Sequence, residues 1–286
     1  MKQGKSAPYL FLLPALAGLS LFKLYPLLAA VWDSLFRTDF LTREKLFVAA
    51  ENYITLFQDP VFWQSLKVTL LYNVLIDPII IVLALALSLL LQSSIKGRAL
   101  FRTIHFIPVA ISIPTACVIW GIMLSPEQGV VNSILGSLGL QQQPFLSSVH
   151  QSLASMISIV VWKSVGYWAL FLLAGLQEVP AALYEAASID GANRWAQFRH
   201  ITIPLLRRPI AFVAVAVTSH HFFSFSPMYI LTQGGPEHST NTLMLESFNS
   251  AFLYSDPGRA SAIVVLLIIL TMLIITLQLK WLRTGN

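Results

Sequence analysis

Residues 176–209 read LQEVPAALYEAASIDGANRWAQFRHITIPLLRRP, a polar passage between two long apolar runs. Pro180 suits the first turn of a helix, and Ala181 to Ile189 are mostly good helix formers. Leu183, Ala186, Ala187 and Asp190 lead to Gly191, a natural helix stop. Beyond it Trp195, Phe198 and Ile201 recur at three-residue spacing, one apolar face of a second short helix. Pro204 is expected to close the unit. The passage reads as helix, turn, helix, held on one face of a membrane by the runs on either side.

Composition supports the membrane. The chain has 286 residues, of which 56% are hydrophobic and only 11% charged. Soluble domains carry about 25% charged residues. Mean hydropathy is +0.71. An ordinary cytosolic enzyme, a disordered chain and a coiled coil are excluded. A bilayer core needs about 20 apolar residues per helix, and six stretches qualify: Tyr9–Val31, Leu66–Leu91, Phe101–Leu124, Leu153–Leu176, Pro209–Leu231 and Ser261–Leu282. They are continuous rather than alternating, which argues against strands. The expected fold is an all-α membrane protein with six transmembrane helices. The first stretch is too long for a signal-peptide core, so it is expected to be retained as a span.

Basic residues orient these spans. With both termini cytoplasmic, the inner segments hold Lys2, Lys5, Lys96, Arg98, Arg102, Arg194, Arg199, Arg207, Arg208, Lys280 and Arg283. The outer segments hold only Arg37, Arg43, Lys45 and Arg259. This excess places the passage at 176–209 on the cytoplasmic side, between the fourth and fifth spans. The net charge of +5 thus reflects topology rather than nucleic-acid binding. Prolines 14, 26, 78, 108, 114 and 227 interrupt the spans, which membrane helices tolerate. Cys117 is the single cysteine and is expected to be a small packing residue.

Catalytic signatures are missing. No phosphate-binding loop G-x-x-x-x-G-K-[ST] occurs, nor H-E-x-x-H, nor C-x-x-C. His220 and His221 diverge by about 100° on a helix and do not naturally hold one metal. The chain is expected to be no enzyme and to hold no metal. Lys23, Asp77 and Lys163 are the ionisable groups inside the spans. Such groups mark a solute path or an interhelical polar contact. Either lysine could pair with Asp77.

The pattern Glu185-Ala186-Ala187, three residues, Gly191, nine residues, Ile201-x-Ile203-Pro204 resembles the EAA motif of bacterial ABC importer permeases. Ile203 replaces a usual Leu. Lesser motifs follow in the family's order. They are Leu10-Phe11-Leu12-Leu13-Pro14, Asn52-Tyr53, Asp59-Pro60-x-Phe62-Trp63, Gly97-Arg98-x-x-Phe101-Arg102, Ala174-Gly175-Leu176-Gln177 and Gly234-Gly235-Pro236 with Thr240-x-Thr242-Leu243. Together they resemble the carbohydrate subfamily related to the maltose and glycerol-phosphate permeases. Gln233 departs from the pattern, standing where the family often has a further Gly.

The resemblance implies a pore subunit in the bacterial inner membrane. Its partners would be two ABC ATPase subunits, a second homologous permease and an extracytoplasmic solute-binding protein. ATP and Mg would belong to the partner ATPase, with no cofactor in this chain. Residues 1–60 would form an N-terminal span and outer loop. Residues 61–286 would form the permease core with its coupling loop at 178–206. Glu185, Ala186, Ala187, Asp190, Gly191, Ile201 and Pro204 would couple to the ATPase, with Trp195 and Phe198 anchoring the second helix. A sugar or sugar-like polyol would pass the middle spans. Asn73, Asp77, Trp162, Lys163, Tyr167, Trp168, Ser224 and Tyr229 are the candidates there, with Tyr72, Ser219 and His220 beside them, since sugars take aromatic stacking and hydrogen bonds. A self-contained ion-coupled carrier is the alternative. It would need repeated halves and several intramembrane acids.

Overall fold

The computed structural model describes residues 7–38, 44–92 and 97–283. The topological expectations resting on Lys2, Lys5, Arg43 and Lys96 lie outside the described residues.

The described residues open with α1 (Ala7–Leu19), a π-helical turn (Ser20–Leu24) and α2 (Tyr25–Asp33). The helix continues through Pro14 and Pro26. A hairpin of β1 (Phe36–Thr38) and β2 (Lys45–Phe47) follows, pairing Phe36 with Phe47. Next come α3 (Glu51–Gln58) and the long α4 (Pro60–Gln92), which carries Pro78 inside it. After α5 (Arg98–Ala110) and α6 (Ile113–Met123) come α7 (Val130–Ser137) and α8 (Ser152–Gln177). The polar passage holds α9 (Ala181–Ile189), α10 (Arg194–Gln197) and α11 (Ile203–Leu205). The rest is α12 (Arg207–Phe222), α13 (Ser226–Leu231), α14 (Leu243–Phe248) and α15 (Pro257–Arg283).

Among the described residues, four helical stretches are long and apolar enough to cross a membrane: Phe11–Asp33, Pro60–Gln92, Ser152–Gln177 and Pro257–Trp281. Two bent helix pairs bring the number to six if each is one span, and here the structure corrects the sequence. The stretch 101–124 is not one helix. Its halves meet at 99°. Pro108 lies in the last turn of α5, and Ile111 and Ser112 are extended. The Ser112 hydroxyl then accepts from the Thr115 amide, with Pro114 in the first turn, so α6 begins afresh as a capped helix. The expected fifth span, Pro209–Leu231, also fails to run through. Its helix stops at Phe222, and α13 starts separately at Ser226 with Pro227 in its first turn.

The chain forms two compact units. One comprises residues 1–63 and 246–269. Asn52 organises it, donating from Nδ2 to the carbonyls of Ser34 at 2.8 Å and Phe36 at 2.9 Å. Asp59 caps α4 through the Val61 amide at 2.8 Å and also takes the Arg259 guanidinium. Arg259 in turn reaches Glu246 at 3.1 Å and Ser250 at 3.2 Å. The Asn-Tyr and Asp-Pro motifs are thus structural fastenings. Side chains of 11–33 such as Phe11, Phe22 and Trp32 stay exposed, an extent of apolar surface suited to lipid rather than water.

The other unit comprises residues 64–245 and 270–286. Its centre is α8, with Met156, Val160, Leu172 and Leu176 buried. Helix α5 crosses α8 closely at Gly166, where an added Cβ would meet the His105 carbonyl oxygen at 2.2 Å. Only a residue without a side chain allows that approach. Cys117 is buried in α6.

Candidate functional site

Two arrangements in this second unit carry the functional argument: the surface loop of 178–206 and a cavity beside α8.

Pro180 caps α9, and Gly191 sits at φ +81°, the left-handed turn that ends the helix. Asn193 then caps α10, its Oδ1 accepting from the Ala196 amide at 2.9 Å. The two arms are tied together. Gln197 donates to the Ser188 hydroxyl at 2.9 Å and to the Ala192 carbonyl at 3.2 Å, and the hydroxyls of Tyr184 and Thr202 lie 3.0 Å apart. Tyr184, Ser188, Asn193 and Gln197 thus set the loop's shape. Sequence reading missed them because polar side chains on a short helix carry no periodic signal.

The loop presents rather than hides its outer surface. Glu185, Ala186, Asp190 and Gly191 are exposed, and Ala187 is half-buried. So are two apolar side chains, Ile189 at 86% and Trp195 at 66% of full exposure. Trp195 therefore does not anchor the second helix on the spans; it stacks on Phe198 with ring centroids 5.5 Å apart. Ile201 is half-buried and Pro204 exposed. Pro204 does not close the unit either. The helix runs through a π-turn at Phe198–Thr202 into α11, and the chain bends by 66° between Leu205 and Arg207. The π-turn just before Pro204, where the Ile203 amide donates to the Phe198 carbonyl, lets the helix pass a residue that has no N–H to give.

The cavity has a volume of about 750 Å³ and is lined by Val109, Ile113, Lys163, Ser164, Tyr167, Trp168, Ala216, Ser219 and His220. Its size falls in the range of small-molecule sites, about 300–1,000 Å³. The break between α5 and α6 forms one wall. Lys163 Nζ donates to the carbonyl of Val109 at 3.1 Å, one of the last four carbonyls of α5 that have no partner within the helix. A lysine at mid-helix in a bilayer costs about 2.5–3.5 kcal/mol on insertion scales, so its place in a cavity calls for a reason.

The structure divides the remaining sequence candidates. Lys163, Tyr167 and Trp168 come together with Ser219 and His220. Trp162 faces elsewhere, packing edge-on to Trp120 with centroids 5.4 Å apart. Asp77 is buried in helix packing. Its Oδ1 takes His221 Nδ1 at 2.7 Å and its Oδ2 takes the Thr218 hydroxyl at 2.8 Å, and Gln278 adds a bond to Thr218 at 2.9 Å. Asp77 therefore serves an interhelical contact, and Lys163 bonds to Val109 rather than to it. Asn73 is buried and donates to Thr69 of its own helix at 2.8 Å. Tyr72 is buried edge-on to His221, Ser224 is half-buried beyond the end of α12, and Tyr229 stacks on Phe225 at 5.1 Å. The adjacent histidines do diverge: His220 looks into the cavity and His221 onto Asp77.

Residues 53–284 match the model of the binding-protein-dependent transport system inner membrane component. The chain belongs to that permease family. A probable ABC transporter permease, YurN of Bacillus subtilis, is 37% identical over 100% of this chain and 99% of its own. The trehalose/maltose transport permease MalF of Thermococcus litoralis is 34% identical, covering 97% of this chain and 93% of its own. A solved bacterial ABC transporter involved in the import of the acidic polysaccharide alginate has a chain matching at TM-score 0.83 and 25% identity, over 97% of this permease and 95% of that chain. Members of this family are ABC-importer membrane subunits rather than enzymes, and the apolar helices of this permease fit that role.

Proposed function

We propose that this permease is one of the pore subunits of an ATP-driven importer for a glycoside or sugar-like polyol. The observation that carries the reading is the full-length match to a trehalose/maltose permease, joined to the fold of an alginate importer chain. In this reading both termini face the cytoplasm, and the loop at 178–206 projects on the same side. Residues 61–286 form the permease core, preceded by a separate N-terminal span. The solute arrives on an extracytoplasmic binding protein. Two ATPase subunits hold ATP and Mg, and a second homologous permease completes the pore.

The loop supplies the coupling surface. Glu185 offers an exposed carboxylate for a basic partner, and charge-assisted bonds of this kind are the strong ones. Ala186 and Ala187 keep α9 narrow enough to enter a groove. Ile189 and Trp195 add apolar surface that a partner would cover. Asp190 and Gly191 form the turn, and Ile201 and Pro204 lead into the bend toward α12. Movement of α9 would thereby reach α12 as a rigid displacement, since the two arms are tied by Gln197 and Tyr184.

The test is co-expression with the neighbouring genes and purification of the complex, followed by ATP hydrolysis. An ATPase and a second permease should accompany the chain. Glu185→Ala should lower binding-protein-stimulated hydrolysis about tenfold, the loss of roughly 1.4 kcal/mol of coupling, with the chain still inserted. A permease that purifies alone and moves solute without ATP would end the proposal.

A further inference from the structure

We propose that the solute carries an oxoanion, a carboxylate, sulfonate or phosphate group on the glycoside or polyol, and that Lys163 is the residue that reads it. The inference rests on the importer reading above and names the chemistry of its cargo.

The first support is charge. Among the described residues, Lys163 is the one formal cation lining the cavity, and no carboxylate lines it. Asp77, the acid of the neighbouring helix packing, has both oxygens engaged by His221 and Thr218. Lys163 is half-buried, and a partly desolvated cation is stabilised more by an opposite charge than by neutral dipoles. A solute bearing an anion supplies that charge on arrival. A neutral one leaves it uncompensated.

The second support is the polarity of the lining. Beyond Lys163 the polar groups are the hydroxyls of Ser164, Tyr167 and Ser219 and the imidazole of His220. All of them can donate. Among the described residues of the lining there is no carboxylate or carboxamide, the side chains that best accept from sugar hydroxyls. A donor-rich cavity around a lysine suits a group whose oxygens only accept. Trp168 and Tyr167 remain as apolar faces for a sugar ring or carbon chain.

The third support is how the lysine is held. Its bond to the Val109 carbonyl pins the ammonium to the wall where α5 breaks. A carbonyl is a weaker partner than an oxoanion, so the solute can take up the ammonium's free hydrogens or replace the carbonyl. The tether keeps the charge at the cavity between transport cycles without burying it in a salt bridge that would have to be broken.

The experiment uses the complete importer in proteoliposomes with its binding protein and internal ATP. The ligand retained by the binding protein purified from growing cells is identified by mass spectrometry and used as one probe. Trehalose, digalacturonate, sulfoquinovose and glycerol 3-phosphate are the others; the last three separate carboxylate, sulfonate and phosphate. The retained ligand should be anionic, and Lys163→Gln should lower its uptake at least tenfold while Lys163→Arg keeps most of it. A neutral retained ligand, or uptake of the anionic one unchanged in Lys163→Gln, would overturn the proposal. So would loss of the companion permease from the Lys163→Gln complex, which would show the lysine paired across the subunit interface. ATP-independent movement of every probe would instead strike the importer reading itself.

Discussion

Asp77 on α4 and His221 on α12 stand 144 residues apart in sequence and 2.7 Å apart in space. Thr218 takes the other carboxylate oxygen, and Gln278 of α15 bonds to Thr218. One acid thereby joins three helices of the same compact unit through side chains alone. A carboxylate in an apolar surround is stable only when its oxygens are satisfied, and here both are.

Removing it should therefore unfasten the packing. Asp77→Ala leaves the donors of His221 and Thr218 facing a void, and truncating one side of a buried pair costs about 3–5 kcal/mol. Asp77→Asn keeps one acceptor and should lose less. A double-mutant cycle with His221→Ala, read from unfolding of the detergent-solubilised permease, should show a coupling of about 1 kcal/mol or more, toward the upper end of that for membrane hydrogen bonds. Strictly additive losses would mean that the pair contributes no stability.

The contact of α5 with α8 makes a steric prediction. A Cβ at Gly166 would lie 2.2 Å from the His105 carbonyl, a backbone atom that cannot swing away. Gly166→Ala should destabilise by about 1–3 kcal/mol through overpacking. Gly136, inside α7, has nothing within 4 Å of an added Cβ. Gly136→Ala should be neutral or stabilise by up to about 1 kcal/mol. Thermal midpoints of the two variants side by side distinguish lost space from a general intolerance of substitution.

How much of this was legible follows from which forces leave a mark on sequence. Continuous apolar runs located α4, α8 and α15, because length against bilayer thickness is a one-dimensional property. The break at Ile111 and Ser112 was invisible to that measure, since an apolar run reads the same bent or straight. Only Pro108, Pro114 and a capping serine mark it, and each occurs without a break elsewhere. The cavity candidates divided for a similar reason. Trp162 and Lys163 are neighbours in sequence but face apart, and which face of α8 meets α12 is settled by packing across distant residues. The loop's first helix and its turn are the most legible, because Pro180 and Gly191 act locally. Beyond the turn, Trp195 is exposed where its helix face points to contact with the spans, since a helix face says what is apolar but not what covers it.

Gln233 offers a test in which substitution should help. It stands at φ +49°, in the left-handed region, just before Gly234 at φ +86°. Left-handed backbone costs a non-glycine residue about 1 kcal/mol or more. Gln233→Gly should recover part of that and raise the thermal midpoint, offset by the greater freedom of glycine in the unfolded chain. Gly234→Ala should do the reverse, because its Cβ would also approach Leu245 Cδ2 at 3.1 Å. Both variants falling together would show that the turn is held by something other than its backbone angles.

Arg259 makes the last prediction, in the unit built from 1–63 and 246–269. Its guanidinium contacts Asp59 and Glu246 and donates to the Ser250 hydroxyl, so three side chains from two segments converge on one planar group. Its side chain is 20% exposed and that of Glu246 only 1%, which sets this cluster apart from the open pairs Arg37–Glu51 and Lys45–Asp33. Both carboxylates take Nη2 while Nε donates to Ser250, and a lysine keeps the charge but has no second donor nitrogen for that bond. Arg259→Lys should therefore lose most of what Arg259→Ala loses, about 3 kcal/mol for a cluster this shielded. Surface pairs contribute about 0–1 kcal/mol and are screened by salt. Unfolding at low and at 1 M salt separates the two cases: the deficit of both variants should persist in salt, whereas a deficit that vanishes, or a lysine variant indistinguishable from wild type, would reduce Arg259 to an ordinary surface charge.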